Sequence, residues 1–253
     1  MGGVAQLTLA VQPDGTQLVI RELLPRYILN WRMHRRFVKG TRIRERISPH
    51  PRIAYSVERG YQGLKPYEVI EYVDGKNLRE LILARHPLIR SHTYQILRQS
   101  ASALAYMHDR GILHLDVKAE NFLLDMTTEQ IKVKLTDFDL SCDLKTSRDR
   151  HRSGTLSYMA PEQVRQGAVG VGSDMFAFGI FAYFLVTGKM PFTGDSEKER
   201  RQRQLSMESH VISPRRVNPD LSAKLDWIIM RCLEKDPEKR FPGMAYLQQE
   251  LGG

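Results

Sequence analysis

The stretch His114-Leu115-Asp116-Val117-Lys118-Ala119-Glu120-Asn121 decides the fold of this chain, together with Asp137-Phe138-Asp139 and Ala160-Pro161-Glu162 further along. Short apolar runs flank the first stretch, Ile112-Leu113 before it and Phe122-Leu123-Leu124 after it. Such runs on both sides of a polar turn predict two buried segments that hold the polar residues at one edge.

Asp116, Lys118, Asn121 and Asp137 are residue types that can handle a phosphate bound to Mg²⁺. Carboxylate and amide oxygens are hard ligands that suit Mg²⁺. Phosphoryl transfer also needs a carboxylate to orient the hydroxyl and a cation near the transferred phosphate. An unrelated set of turn and cap residues in another α/β fold is the alternative, and several motifs in one order disfavour it.

On the motifs H-x-D-x-K-x-x-N, D-F-D and A-P-E, the chain resembles the eukaryotic-like Ser/Thr protein kinases of bacteria, from about residue 2 to residue 251. The resemblance implies the α+β bilobal protein kinase fold, with a small antiparallel sheet and one helix in the N-lobe and a larger helical C-lobe. We place the N-lobe at residues 1–73, with its first strand missing or truncated, and the C-lobe at residues 74–253. The implied cofactors are ATP and Mg²⁺ or Mn²⁺.

The resemblance assigns Asp116, Lys118 and Asn121 as catalytic residues, and Asn121 and Asp137 as metal ligands. Asp116 would orient the acceptor hydroxyl, and Lys118 would steady the γ-phosphate and mark the Ser/Thr class. Thr155 should contact both. The implied nucleotide-binding residues are Gly2, Gly3, Leu7, Val19, Arg21, Ile70, Glu71, Val73, Asn77, Leu123 and Asp137.

Residues 70–77 are expected to form the hinge of the nucleotide site. Ile70 would be the gatekeeper, Glu71-Tyr72-Val73 would present backbone groups to adenine, and Asn77 lies where a ribose contact is often found. An edge strand that runs into a helix cap is the alternative interpretation of this segment.

Several positions depart from the family pattern. Arg21 stands where the third strand has Lys, and the two cations are not interchangeable. Val19 replaces a small Ala and could crowd the base. No acidic residue occurs between Glu22 and Glu45. Because alignment puts residue 40 or 41 at the position of the usual helix Glu, we expect Arg21 to lack an anchor.

Two further departures lie in the C-lobe motifs. Asp139 replaces the Gly of D-F-G, and Leu115 replaces the Arg of H-R-D that usually binds a loop phosphate. Without that cation, a strict phosphorylation switch is not expected. Two functions remain open: a weak or atypical Ser/Thr kinase acting on a protein, or a catalytically impaired pseudokinase that serves as a nucleotide-binding or scaffold module.

The hydrophobic pattern predicts strands at residues 4–11, 16–23, 53–59 and 66–73, and helices near 30–47 and 91–109. The apolar run 175–186 predicts a buried helix and is too short to span a membrane. Asp174 should cap that helix and brace the catalytic turn. Glu162 should pair with Arg240.

Composition favours an ordinary globular protein in a reducing compartment. The 253 residues carry a net charge of +9, two cysteines and no signal peptide, so we expect a cytoplasmic protein without a transmembrane segment. Arginines crowd residues 32–46, where an anionic partner could bind. Nucleic acid is not expected, because no nucleic-acid motif accompanies the charge.

Overall fold

The computed structural model describes residues 4–127, 130–149, 154–165 and 169–252. Its first part is a four-stranded antiparallel sheet with order β1-β2-β4-β3 and one long helix. The elements are β1 (Ala5–Val11), β2 (Gln17–Leu23), α1 (Trp31–Ile47), β3 (Ser56–Gln62) and β4 (Lys65–Glu71). The predicted hairpin and helix are therefore confirmed.

Local sequence explains these elements. The β1–β2 turn contains Gly15 at φ 86°, which glycine adopts without a steric penalty, and the Asp14 carboxylate accepts the Thr16 N–H at 2.8 Å. Helix α1 begins where the Asn30 side chain accepts the Met33 N–H at 3.2 Å, an ordinary N-cap.

The strand predicted at residues 53–59 begins later than expected. Ile53 and Ala54 are buried, but they contact Leu135 of the C-lobe, and the Ala54 N–H donates to the Leu135 carbonyl at 3.0 Å. Their hydrophobicity therefore serves the contact between the two lobes, and β3 starts only at Ser56.

The C-lobe is mainly helical, with small strands around the catalytic turn. Its elements are β5 (Gly75–Asn77), α2 (Leu78–Leu83), α3 (Pro87–Ser91), α4 (Thr93–Asp109), β6 (Ile112–Leu113), β7 (Phe122–Asp125), β8 (Lys132–Leu135), β9 (Cys142–Asp143), α5 (Pro161–Val164), α6 (Val171–Thr187), α7 (Glu197–Leu205), α8 (Pro214–Val217), α9 (Ala223–Cys232) and α10 (Met244–Glu250). This architecture confirms the α+β bilobal fold. The boundary between residues 73 and 74 stays a prediction.

Helix α6 forms the centre of the C-lobe. Its residues from Ser173 to Leu185 are buried, and Phe181 stacks on Phe122 of β7 at 4.8 Å between ring centroids. Neither cysteine forms a disulfide, and both are buried. Among the described residues, no helix is both long and apolar enough to cross a membrane.

Candidate active site

Asp116 is the centre of a hydrogen-bonded cluster in the turn between β6 and β7. Its Oδ1 accepts the Thr155 hydroxyl at 2.7 Å and the Thr155 N–H at 3.0 Å. The Lys118 ammonium donates to Asp116 Oδ2 at 2.7 Å and to the Thr155 hydroxyl at 3.0 Å. The predicted contacts of Thr155 are thus confirmed, and one carboxylate, one cation and one hydroxyl share a small volume.

Asn121 closes the turn from the other side. The Asn121 side-chain Nδ2 donates to the Asp116 backbone carbonyl at 2.8 Å. The Asn121 backbone carbonyl accepts the Thr136 N–H at 2.9 Å. Because Nδ2 is used in the turn, the amide oxygen is the atom left to bind a cation. The second bond places Asn121 beside Asp137, the next residue after Thr136.

Asp174 braces the same turn from beneath. Its carboxylate accepts the backbone N–H groups of His114 and Leu115, both at 2.8 Å, and contacts His108 Nε2 at 2.8 Å. Burial alone would raise the pKa of Asp174, but the hydrogen bond and charge of His108 hold it below its usual value. The bracing role is confirmed. The capping role is wrong, because the N-cap of α6 is Gly170 and Asp174 lies within its first turn.

The core behind the turn fixes the two motifs relative to each other. His114 and Phe138 are buried, with ring centroids 5.5 Å apart in an edge-on contact. Leu115 has φ 63° and Asp137 has φ 59°. Non-glycine residues held in this left-handed region are uncommon and cluster at functional sites.

Asp137 and Asn121 fit a magnesium site. The Asp137 side chain is 38% exposed, so its carboxylate is open to the cleft. Burial would raise the pKa of Asp137, but the Arg21 charge keeps it below the ordinary value, so the carboxylate is ionised at neutral pH. The described residues hold no cluster of three acidic, His or Cys side chains for a metal. One carboxylate and one amide oxygen suit Mg²⁺, which commonly takes phosphate and water as its other ligands.

Four of the predicted nucleotide-binding residues share one face of the sheet. The strand register pairs Leu7 with Arg21 and Val19 with Ile70, and Arg21 with Glu68. Residues paired across antiparallel strands project to the same face. The predicted nucleotide residues Leu7, Val19, Arg21 and Ile70 are therefore on one face, and Leu7 is 65% exposed. Gly2 and Gly3 lie outside the described residues.

The hinge residues follow directly from β4. Glu71 ends that strand, and its side chain pairs with Lys134 of β8. Leu123 lies in β7 opposite Asn77 of β5. The Asn77 side chain accepts the Glu80 N–H at 3.0 Å and caps α2, as the alternative interpretation expected. The backbone contacts of Glu71 and Val73 with adenine, and the ribose contact of Asn77, stay predictions.

The expectation that Arg21 lacks an anchor is wrong. Arg21 is buried, and its guanidinium lies 2.5 Å from Asp139 Oδ2 and 3.5 Å from Glu68 Oε2. Burial would lower the pKa of Arg21, but the charges of Asp139, Asp137 and Glu68 raise it, so the cation is retained. Burial raises the pKa of Asp139, and the Arg21 charge opposes that shift. The helix carboxylate is absent as predicted, since Glu45 points to Arg59 at 2.7 Å.

Glu68 and Arg44 are the residues that sequence reasoning missed. Glu68 is fully buried, and its Oε1 lies 2.8 Å from Arg44 Nε of α1. A signal was present, because β4 alternates and Glu68 takes the same buried side as Pro66 and Ile70. An acidic residue on the buried side of a strand indicates a buried cation nearby.

Two features hold the segment that follows Asp139. Arg240, itself 2% exposed, contacts both oxygens of Glu162 at 2.8 and 3.0 Å, as predicted. Leu115, at the position of the family's Arg, lies in an apolar cluster defined by Leu113, Leu115, Cys142 and Val169. The site that would bind a loop phosphate is thus filled by hydrocarbon.

Comparisons with known proteins agree with this geometry. The chain matches the protein kinase domain family over residues 1–251. It is 32% identical over 205 residues to serine/threonine-protein kinase PrkC of Bacillus subtilis. This alignment covers 80% of this chain and 31% of PrkC. It is 32% identical over 194 residues to serine/threonine-protein kinase PknB of Mycobacterium tuberculosis, covering 75% of this chain and 30% of the relative.

The chain therefore spans less than a third of the length of these curated relatives. The match to the family nevertheless extends over nearly the whole sequence. With the catalytic turn, the Asp137 motif and the bilobal fold in place, the chain belongs to the protein kinase domain family.

Proposed function

We propose that this chain is an atypical Ser/Thr protein kinase, which transfers the γ-phosphoryl group of ATP to a hydroxyl of another protein. The observation that carries the proposal is the complete cluster of Asp116, Lys118, Thr155 and Asn121. A chain that only bound a nucleotide would have no chemical need for a carboxylate and a cation held together beside a hydroxyl-binding position.

The residues divide the reaction between them. Asp116 orients the acceptor hydroxyl and takes up its proton as the oxygen attacks the γ-phosphorus and the bond to ADP breaks. Lys118, held by Asp116 and Thr155, offsets charge on the transferred group. Asp137 and Asn121 would supply oxygen ligands to Mg²⁺, which would neutralise phosphate charge when bound. Arg21 supplies a second cation on the N-lobe side.

A cavity beside Thr155 offers space for the acceptor segment. It measures about 420 Å³ and is lined by residues including Thr155, Ser157, Phe192 and Arg200. Its position next to Asp116 and its mixed apolar and charged lining fit a polypeptide rather than a small metabolite.

The impaired pseudokinase is the second candidate. Two observations favour it: Arg21 replaces Lys, and Val19, which is larger than the family's Ala, pairs with Ile70 on the face that would contact adenine. In that case the protein would bind nucleotide weakly and act through a partner.

A radiolabel transfer assay with Mg²⁺ or Mn²⁺ separates the two candidates. Wild type should label a generic protein substrate, and Asp116→Ala should lose about 10²–10⁴-fold of the rate. Asp195→Ala, which changes an exposed aspartate, is the matched control and should keep the wild-type rate. A wild type that binds MgATP yet transfers no label above Asp116→Ala would establish the pseudokinase.

We also propose that an anionic partner binds one face of α1. Arg32, Arg35 and Arg42 are exposed and spaced to share that face. The whole segment 32–46 is not one surface, since Arg44 is buried and Arg46 pairs with Asp143 at 2.8 Å. Changing the three exposed arginines to Gln should abolish salt-sensitive binding of polyglutamate, and retained binding would refute this surface.

The proposed substrate ATP and two cysteines outside any disulfide support a cytoplasmic site of action. Measuring the reduced state of both cysteines in cell extracts would test this placement.

A further inference from the structure

Helix α1 approaches the Asp137-Phe138-Asp139 motif so closely at Gly40 that no side chain fits there. A Cβ on Gly40 would lie 2.6 Å from Asp139 Oδ1 and 2.9 Å from the Asp139 Cα. Gly40 does not have a positive φ, so its backbone does not require glycine. Glycine lowers the stability of a helix interior, so helix formation does not explain its presence at position 40. The close approach of Asp139 does explain it.

Asp139 uses the space at Gly40 to reach Arg21. Its Oδ2 lies 2.5 Å from the Arg21 guanidinium, which also contacts Glu68 at 3.5 Å and the Phe37 ring at 4.7 Å from its centroid. The Arg21 side chain is thus held by contacts with Asp139, Glu68 and Phe37. The same guanidinium nitrogen lies 3.8 Å from Asp137 Oδ1, at the edge of the metal site.

In the family pattern the helix supplies a carboxylate and the sheet supplies a cation. In this protein the helix supplies the cation and the sheet supplies the carboxylate. Here α1 contributes the cation Arg44, which lies 2.8 Å from Glu68 of β4 and donates to the Ala54 carbonyl at 2.9 Å. Two buried cations, Arg21 and Arg44, are balanced by two buried carboxylates, Glu68 and Asp139. Buried charges are tolerated when they are paired in this way.

We propose that Asp139 is the positioning residue for Arg21, in place of a carboxylate from the helix, and that Gly40 is the position that admits it. The inference rests on the proposed function, in which Arg21 contacts the phosphates of ATP. Because Asp139 and Asp137 belong to one motif, the phosphate-binding cation and the metal ligand are held as a single unit.

The first test compares ATP with adenosine, which lacks phosphates. In Asp139→Asn, which keeps the shape of the side chain, the Kd of MgATP should rise at least about tenfold. The Kd of adenosine should stay within about twofold, whereas a merely structural role would weaken both ligands together. Asp143→Asn is the matched control, because Asp143 also pairs with an α1 arginine, Arg46, but at an exposed position.

The second test is a mutant cycle on the close approach. Gly40→Ala should lower the Tm of the wild type, and it should lower the Tm less in an Asp139→Gly background, because the clash with the carboxylate is then gone while the close approach to the backbone of residue 139 remains. Gly40→Glu alone should abolish the preference for ATP over adenosine. The triple variant Arg21→Lys, Gly40→Glu, Asp139→Gly should bring that preference to within a few-fold of the wild type.

Four results would overturn the proposal: an unchanged MgATP affinity in Asp139→Asn, an equal weakening of MgATP and adenosine binding in that variant, additive Tm effects at positions 40 and 139, or a wild type without any preference for ATP. The positioning role of Asp139 and the kinase activity can be refuted independently of each other. A wild type without phosphotransfer, in which Asp139→Asn still removes the ATP preference, would refute the kinase and support the positioning role.

Discussion

Two ion pairs with equal contact distances contribute differently to the stability of the protein, because one is buried and the other is exposed. Arg240 meets Glu162 at 2.8 Å with its side chain fully buried, and Arg90 meets Asp220 at 2.8 Å with its side chain 85% exposed. Exposed pairs contribute little to stability because water and salt screen them. Removal of one buried partner instead leaves an uncompensated charge.

Arg240→Ala should therefore destabilise the protein by about 3–5 kcal/mol. For a domain of this size, that loss lowers the Tm by about 6–20 °C. Arg90→Ala is the control and should leave the Tm nearly unchanged. Similar Tm values for the two variants, measured by calorimetry, would show that burial does not determine how much the Arg240–Glu162 pair contributes to stability.

Asp174→Asn should lose stability in a pH-dependent manner. The pKa of Asp174 is held below 3.8, so its ionised form stabilises the folded state above that pH, and the contribution disappears as the pH falls through the folded value. Urea unfolding should show a large gap between wild type and Asp174→Asn at pH 7 and a smaller gap at pH 3. A gap that widens in acid would contradict the bracing role.

At the scale of elements, an apolar cluster joins β6 to β9 at the position where the family pattern has a charge. Leu115→Arg would place a charge in the apolar cluster with Leu113, Cys142 and Val169. It should lower the Tm strongly, because an unpaired buried charge is costly. Leu115→Met conserves volume and should cost less than about 1.5 kcal/mol. An equal Tm for both variants would mean that the cluster is open to water.

Loop phosphorylation should matter little for the same reason. Thr146 is exposed, and Thr146→Ala should leave phosphotransfer within a few-fold of the wild type. Ser147 is a different case, since its hydroxyl is buried and donates to the Val169 carbonyl at 2.9 Å. Ser153 lies outside the described residues. A large loss of transfer in Thr146→Ala, with an unchanged Tm, would restore the phosphorylation switch.

The sequence predicts elements whose signals are local. The helix Trp31–Ile47 and the hairpin from Ala5 to Leu23 follow from period and turn residues within the element. The Asp116 cluster is predictable because its motif has fixed spacing. The partners of Arg21 are not, because Asp139 is separated from it by 118 positions and Glu68 by 47. Pairing over such distances depends on how the lobes pack, which no local pattern encodes.

At the scale of the whole molecule, the two lobes contribute different parts of the proposed phosphate site. Arg21 comes from the sheet, and Asp137 and Asn121 come from the C-lobe. A ligand that contacts both should stabilise the entire fold by an amount that grows with the logarithm of its affinity. ATP should therefore raise the Tm more with Mg²⁺ or Mn²⁺ than with EDTA, and Asp137→Asn should remove that difference. An equal shift with EDTA would refute the metal site.

The contact between Arg21 and Asp139 also bears on which inhibitors this protein can accept. A compound that binds only after Phe138 has left the core must first pull Asp139 away from a buried guanidinium. Separating such a pair costs about 3–5 kcal/mol. Since every 1.4 kcal/mol is a tenfold change in affinity, such compounds should bind about a hundred- to several-thousand-fold more weakly than their contacts alone would allow. Compounds that leave Phe138 in place avoid this loss, so the design of selective inhibitors should begin at the proposed adenine contacts of Leu7, Val19 and Ile70.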